Sequence, residues 1–480
     1  GDVGTPAWEQ AHVDWNDRVW PVLIELSGAR PSEAAAARVA AERSTEDELK
    51  DSDSHTAMAR SLRGEDVAPR VMLAPTILTN AVGLDTAPAR VVVARELQSP
   101  ASPKRTRHLE VALPPGVEYT AGDHLGVCPR NDEERVERLA AHLGSELESL
   151  FMVPRSMNVR AVPKGIVLQV RNVLTNLVDI AGPPTLALLD TLLAKAGDPT
   201  ERARLEEIRA VIAAPDGEDS PLREAVLGGA YDVLRLLDEF PSCSLNIFEL
   251  LQVAQPLRPR YYSTSSSPRI HGGGVAHVAV GLAPTPVPGM PEREFRGMCA
   301  GYVHDLHEGD RLSVFVDRAE GFHLQEDVSK PMILVSAGTG FAPMRAFLWE
   351  RLALKRDGVA LAEAALFNGI RSRDLDDIYR DEIELFVAEG VLDHVHLATS
   401  REGACEYVQE RVRAESDLVW RLLEGGGYVY VCGSQPMRAG VREAFVDVVA
   451  DRGGLPREQA EAYLDELENR EGRYRPDVWG

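Results

Sequence analysis

Apolar positions change their period along this chain, and the changes divide it into parts. In residues 1–28, Trp8, Val13, Trp15, Val19, Trp20, Leu23 and Ile24 fall mostly at helical spacings and stop at Ser27-Gly28, which predicts an amphipathic helix that needs a partner. Residues 29–85 read as a linker: to about position 69 they are rich in Ala, Arg, Glu, Asp and Ser with few large apolar groups. Segments 91–97 and 107–113 read as two strands joined by a polar hairpin, and 119–127 as a turn and a third strand. From about 132 to 253 most segments take a helical period, among them 133–143, 184–196 and 200–213. The strand pattern returns at 258–265, 277–282 and 310–316, so a helical insertion interrupts an antiparallel barrel over 86–330. From 331 strand-like segments (332–335, 364–368, 394–398, 428–432) alternate with helix-like ones (342–355, 375–389, 407–423, 436–451, 456–470). That alternation predicts a doubly wound parallel sheet over 331–480.

A length of 480 residues is too great for one core, in keeping with this division. Acidic residues exceed basic ones by 23, which argues against a general binder of nucleic acid or polyanions. Anionic ligands would have to sit where local arginines override that field. The five cysteines, Cys128, Cys243, Cys299, Cys405 and Cys432, are odd in number and form no CxxC pair, which suits a reducing cytosol and neither a disulfide framework nor a zinc site. No apolar run approaches the roughly 20 residues of a membrane span, and the first residues lack a basic-then-apolar signal. The expectation is a cytoplasmic protein without nucleic-acid or membrane partners. The abrupt start at Gly1 suggests a fragment of something longer.

Candidate chemistry begins with Arg260-Tyr261-Tyr262-Ser263, followed by Thr264-Ser265-Ser266-Ser267-Pro268. Strand alternation puts Arg260 and Tyr262 on one face and Tyr261 and Ser263 on the other. A guanidinium, an aromatic ring and a hydroxyl together suit a flavin, though the stretch alone reads equally well as an edge strand running into a solvated Ser-rich loop. In the α/β part, Met332-Ile333-Leu334-Val335 leads into Ser336-Ala337-Gly338-Thr339-Gly340-Phe341, a strand, a glycine turn and a helix start. Such a turn lets backbone N–H groups approach a pyrophosphate, but it is not the G-x-G-x-x-G fingerprint and is weak alone. The other strand ends carry Arg371, then Thr399-Ser400-Arg401, then Cys432-Gly433-Ser434, and open parallel sheets bind nucleotides at such ends. Cys432 alone reads more simply as a buried thiol. The chain ends in Asp477-Val478-Trp479-Gly480, where Trp479 is surface, core or a ring-stacking group.

Taken jointly, Arg260-Tyr261-Tyr262-Ser263, Gly338-Thr339-Gly340, Phe367-x-Gly369-x-Arg371, Ser400-Arg401, Cys432-Gly433 and Asp477-Val478-Trp479 resemble the ferredoxin-reductase-like part of diflavin reductases. Gly122-Asp123-His124-Leu125-Gly126-Val127 and Arg107-His108-Leu109-Glu110 add to the likeness, which covers about 86–480. Among these proteins the chain is most similar to NADPH–cytochrome P-450 reductases and to the reductase portion of bacterial self-sufficient monooxygenases. The resemblance implies FAD in the barrel and NADPH on the parallel sheet, with 132–253 as a connecting domain. It assigns Arg260, Tyr261, Tyr262, Ser263, Val280, Gly297, Cys299, Ala300 and Trp479 to FAD. Arg107, Gly338, Thr339, Gly340, Arg371, Ser400, Arg401, Tyr407, Gln409 and Cys432 fall to NADPH. Ser263, Cys432 and Asp477 would assist hydride transfer, with Trp479 as a ring-stacking gate. Residues 1–28 would be the last helix of a flavodoxin-like FMN domain. FMN and haem would belong to N-terminal domains that are not in this chain, with the FMN domain and a cytochrome P-450 haem domain as fused partners. No metal is implied.

The sequence departs from the pattern in three places. A hydroxyl-bearing phosphate turn is replaced by Gly297-Met298-Cys299-Ala300-Gly301, the first glycine of the usual run is Ser336, and a lysine expected two positions before Tyr407 is Cys405. A sulfite-reductase-like or nitric-oxide-synthase-like reductase half would share the site and differ in its acceptor, and a docking module that has lost its flavin would keep only the fold. Losing a cation beside the ribose 2′-phosphate leaves Arg401 with less help. NADPH should therefore be preferred over NADH by a smaller margin than is usual in the family; equal kcat/KM for the two nucleotides would refute the preference.

Overall fold

The computed structural model describes residues 85–214, 220–288, 290–403 and 405–479. The expected N-terminal helix and nearly all of the expected linker lie outside them. In chain order, β1 (Ala87–Glu96), β2 (Arg105–Ala112) and β3 (His124–Cys128) come first. A helical stretch follows, holding one short ribbon of β4 (Leu150–Met152) and β5 (Val167–Gln169). Then come β6 (Arg260–Ser263), β7 (Val275–Leu282), a hairpin of β8 (Thr285–Val287) and β9 (Met290–Phe295), and β10 (Arg311–Asp317). The last part contains β11 (Met332–Ala337), β12 (Ala364–Ile370), β13 (His394–Thr399), β14 (Tyr428–Ser434) and β15 (Tyr474–Trp479).

The first sheet is antiparallel in the order β6-β3-β10-β1-β2-β7, and its outer strands meet again through a Thr264–Val278 bridge and a 2.7 Å bond from Ser265 N–H to His277 O. Alternate residues such as Val91, Leu109, Val111, Leu125, Val278 and Val314 fill its interior. The helices inserted between β3 and β6 build a separate apolar cluster. They start where local chemistry satisfies the free N–H groups: Asp132 caps Glu133–His142, and an Asn246/Glu249 capping box opens Ile247–Val253. Buried Asn131 donates to the carbonyls of Leu174 and Val178, both at 2.6 Å, which fastens this stretch to the end of β3.

The second sheet is parallel, ordered β13-β12-β11-β14-β15. Met332, Leu334, Leu366 and Tyr430 face one apolar cluster, whereas Ile333, Val335, Phe367 and Val431 face another, so both sides are covered. The structure adds β15, a fifth strand beyond the four that the alternation implied. It also breaks two expected helices. The 375–389 segment is split by Tyr379, which takes a left-handed conformation at φ 60° as its hydroxyl reaches His108 Nδ1 at 2.7 Å. The 407–423 segment divides at Glu415 into Val408–Ala414 and Ser416–Glu424.

The two sheets meet at a buried polar seam. Arg345, in the helix Phe341–Arg356, clasps Glu382 at 2.6 and 3.0 Å and donates to Ser265 O at 2.5 Å. Arg345 also lies over the Tyr379 ring, 4.8 Å from its centroid, and its Nη1 is 3.4 Å from His277 Nδ1. Since a guanidinium only donates, His277 Nδ1 accepts and its Nε2–H faces Glu110 at 3.6 Å; His108 Nε2 faces the same carboxylate at 3.3 Å. The ligand-capable atoms of His108, Glu110 and His277 lie within 4.8 Å of one another.

Burial, reinforced by nearby Arg345, pushes His108 down to about 3; burial, then His271 and Arg345, push His277 down to about 2. Both lie below the ordinary histidine value of about 6.5, so the unfolded chain binds more protons as pH falls through that value. The stability that these two rings contribute should be complete above about pH 6.5 and decline below it, by up to ~1.4 kcal/mol per pH unit for each imidazole. Melting temperatures taken between about pH 7 and pH 5 should fall, and fall less steeply in His108→Asn; equal slopes would remove His108 from this account.

Candidate active site

Side chains from both sheets gather on Asp477. Parallel pairing of β14 with β15 sets Asp477 beside Cys432, and antiparallel pairing of β3 with β6 sets His124 opposite Ser263. Ser263 Oγ donates to Asp477 Oδ2 at 2.7 Å, His124 Nε2 lies 3.1 and 3.2 Å from the two carboxylate oxygens, and Cys432 Sγ is 3.9 Å from Oδ2. Burial, then the Asp477 carboxylate, raises the Cys432 thiol well above its ordinary range, so it is a neutral thiol. The hydrogen bond to Asp477 raises His124, against the opposing effect of burial, and Asp317 and Asp123 add to the rise.

Ser, His and Asp together invite comparison with a nucleophilic triad, but the wiring differs. In a triad the imidazole takes the proton of the serine hydroxyl. Here Asp477 is the hub and receives both the Ser263 hydroxyl and the His124 N–H. Nothing in this arrangement activates a nucleophile; it aims a carboxylate, a hydroxyl and a thiol at one place.

The turn Gly122-Asp123-His124 delivers the imidazole. Gly122 has φ 103°, and a Cβ there would lie 2.1 Å from Phe322 O, so only glycine fits. Asp123 is fully buried, and burial alone would raise its carboxyl. Hydrogen bonds from His323 (2.8 Å), Thr120 N–H (2.8 Å), Arg318 (2.6 Å) and Ala319 N–H (3.2 Å) hold it below the usual carboxylate range. Nothing in the sequence assigns His124 a role: its bond to Asp477 crosses 353 residues, and no local pattern signals it.

On the β6 side, Arg260, Tyr262 and Cys299 share one neighbourhood: burial pushes the Tyr262 hydroxyl well up, and the Cys299 thiol adjoins it. Arg260 is exposed, and its guanidinium hydrogen-bonds only the carbonyls of Arg258 (3.3 Å) and Pro259 (3.2 Å) among the described residues. The helix Met298–Asp305 starts at Gly297, φ 69°, with no side-chain cap, so its leading N–H groups can serve where Ala300 offers no hydroxyl. Tyr261 instead leans on the scaffold, edge-on to Phe315 at 5.5 Å. Val280 is buried in the sheet interior, and its carbonyl accepts from His304 Nε2 at 2.9 Å. Trp479 pairs in register with Ser434 and is about half exposed.

On the parallel sheet, Gly338 (φ 55°) faces open space, whereas a Cβ on Gly340 would lie 2.1 Å from Cys432 O. The turn is thus open at one glycine and tightly packed at the other. The helix Phe341–Arg356 begins there with no side-chain cap and no acidic residue in its first turn. The Thr339 methyl would lie 3.3 Å from a Cβ placed on Gly281 of β7, which brings this turn against the first sheet. An uncapped helix start of this kind fits a dinucleotide pyrophosphate. Backbone bonds of 2.9 Å, from Ser400 N–H to Ile370 O and Arg401 N–H to Arg371 O, bring Ser400 and Arg401 beside Arg371. Tyr407 is exposed, and Gln409 lies against Gly440. Cys405 is exposed with φ 56°. Arg107 pairs in register with Val280, next to Gly281; it donates to Leu306 O at 3.1 Å, and its Nε is buried without a hydrogen-bond partner among the described residues.

Residues 84–302 match the family described as FAD binding domain, and residues 334–443 match that described as oxidoreductase NAD-binding domain. The bifunctional cytochrome P-450/NADPH–P-450 reductase 1 of Bacillus subtilis (strain 168) is 35% identical over 398 residues, which make up 82% of this chain and 36% of that protein. The NADPH–cytochrome P-450 reductase of Bos taurus is 32% identical over 384 residues, 78% of this chain and 56% of the relative. A nitric oxide synthase of Anopheles stephensi is 31% identical over 394 residues, 78% of this chain and 31% of the relative. The chain therefore spans between 31% and 56% of the length of these relatives. With both family matches falling on the two sheets that meet at Asp477, the chain carries an FAD-binding domain and an oxidoreductase NAD-binding domain, and its relatives are NADPH–cytochrome P-450 reductases and the reductase parts of cytochrome P-450 fusions.

Proposed function

We propose that this chain is an FAD-containing NADPH dehydrogenase module that passes electrons to an FMN-binding flavodoxin-like domain and through it to a cytochrome P-450 haem. The observation that carries the reading is the convergence of Ser263, Cys432 and Asp477, from two different sheets, on one partly buried point. On this reading 86–330 is an FAD-binding barrel with its connecting insertion at about 132–253, and 331–480 is a doubly wound NADPH-binding domain. The residues before 86 would belong to the linker and the end of an FMN domain, fused to the rest in the full-length protein. Among the described residues no helix is long and apolar enough to cross a membrane, and we read the module as cytoplasmic.

When bound, FAD supplies two-electron chemistry toward NADPH and one-electron delivery toward a partner. The chain's own residues bind and orient. Arg260 and the N-terminus of Met298–Asp305 would hold the flavin pyrophosphate, with Tyr262 against the ring system. Gly338, Thr339 and Gly340 would hold the NADPH pyrophosphate, and Arg371, Ser400, Arg401, Tyr407 and Gln409 the adenosine side. Asp477 would stabilise the positive charge that grows on the nicotinamide as it is oxidised, with the Ser263 hydroxyl and the neutral Cys432 thiol polarising the approach. Trp479 would cover the ring system until nicotinamide displaces it. The likeness to a nitric oxide synthase keeps one second reading, a different haem acceptor, and reduction of a cytochrome P-450 by the complete protein separates the two.

Purified protein should be yellow, bleach on NADPH addition and reduce ferricyanide readily, with little cytochrome c reduction in the absence of an FMN domain. A colourless protein that FAD cannot reconstitute would overturn the proposal.

Trp479→Ala should raise kcat/KM for NADH, since removing the cover lowers the cost of admitting any nicotinamide. Unchanged NADH kinetics would count against stacking.

A further inference from the structure

Ser263 and Cys432 both contact Oδ2 of Asp477, which leaves Oδ1 to be held by something else. Among the described residues the only donor that reaches Oδ1 is His124 Nε2, at 3.1 Å, and it reaches Oδ2 as well, at 3.2 Å. The imidazole is itself fixed. It extends from β3 directly after Asp123, whose carboxylate is bonded to Thr120, Arg318, Ala319 and His323. Its other nitrogen, Nδ1, lies 3.8 Å from Asp317 Oδ2 on β10. The groups facing His124 are therefore Asp477 from β15, Asp317 from β10 and Asp123 from its own turn, all acidic, with the Ser263 hydroxyl from β6 sharing Asp477.

We propose that His124 is a positioning residue for hydride transfer: through its Nε2–H it fixes the plane of the Asp477 carboxylate across the cleft between the two sheets. This rests on the NADPH dehydrogenase reading above. A carboxylate bound at one oxygen can turn about its Cβ–Cγ bond, whereas one bound at both cannot, and small misplacements are costly when reacting centres must align. Asp477 sits on β15, which pairs only with β14, so a clamp from the opposite sheet supplies a restraint that its own sheet lacks. The charge matters as well as the bond. An imidazolium keeps a donor on Nε2 whatever the tautomer, while the neutral ring can place its proton on Nδ1 and release Oδ1. Because His124 titrates above its ordinary value, the clamp is complete below that raised value and weakens as pH rises through it.

Two measurements test this. First, the imidazole Cε1–H signals of the flavin-loaded protein are followed by NMR against pH, with the His124 signal assigned from its loss in His124→Gln. Its midpoint should lie above about 6.5 and drop in Asp477→Asn. Second, anaerobic stopped-flow bleaching by NADPH and by 4-deuterated NADPH is followed from about pH 6 to pH 9. His124→Ala should bleach on the order of tenfold more slowly with KM nearly unchanged and with an altered deuterium isotope effect. His124→Gln retains an amide donor in place of Nε2–H, so it should recover most of the rate and lose the decline at alkaline pH. Wild-type protein that fails to bleach overturns both this proposal and the functional reading. Wild-type protein that bleaches, with His124→Ala matching it in rate, isotope effect and pH profile, overturns the role of His124 alone. So does a midpoint indifferent to Asp477→Asn, or equal slowing in the Ala and Gln variants, since either result reduces His124 to a structural part.

Discussion

Everything at the site depends on how one guanidinium is buried. Arg345 is 4% exposed, and a cation so far from water is tolerable only if its donors are met. Glu382 takes two of them, and the Ser265 carbonyl takes the third at 2.5 Å. The first partner lies in the α/β half and the second in the antiparallel half, so the charge cannot be satisfied unless the two halves dock in one orientation. Ser265 stands two residues past Ser263, and Arg345 stands five past Gly340, so the same docking fixes the hydroxyl, the glycine turn and the cleft between them. Removing one partner of such a pair costs about 3–5 kcal/mol, because the other is left charged and dry. Burial is the main reason the imidazoles of His108 and His277 are neutral, and Arg345 beside them adds to it, so that His108 Nε2 can donate to Glu110 while His277 Nε2 faces the same carboxylate.

The acidity of the chain gains meaning from this geometry. With 23 more acidic than basic residues, the average field repels a dinucleotide. Many arginines are tied to carboxylates, as in the Arg457 pairs with Glu443, Asp447 and Glu461, and add little positive potential. Arg260, Arg371 and Arg401 form no ion pair among the described residues, and all three stand at or just beyond strand termini. Attraction for a phosphate is thus local, set within a few ångströms by unpaired donors, while the global field discourages other polyanions.

Much of the fold was legible because it rests on local patterns. Period-two and period-3.6 runs marked the strands and helices of both halves, and the motifs around Arg260, Gly338 and Ser400 each occupy a few consecutive residues. What escaped depends on distant pairing. Tyr474–Trp479 is short and carries Pro476, which argues against a strand; an edge position beside β14 tolerates it. The break at Tyr379 has no glycine or proline to announce it, since its φ of 60° is imposed by the seam with His108 and Arg345. The division at Glu415 likewise has no breaker in its sequence.

The late strand β15 joins two demands that conflict. On the proposed reading Trp479 must leave its place each time a nicotinamide arrives, while Asp477, two residues earlier and on the same face of the strand, must stay where it is. An edge strand paired on one side provides the freedom, and the tryptophan is about half exposed. The restraint comes from across the cleft. Ser263 and His124 grip Asp477 from β6 and β3, so motion at the end of β15 need not reach the carboxylate. A site built entirely on the parallel sheet would have to move both residues or neither. Dividing the hold on Asp477 between two sheets lets the gate open while the charge that meets the nicotinamide remains in register.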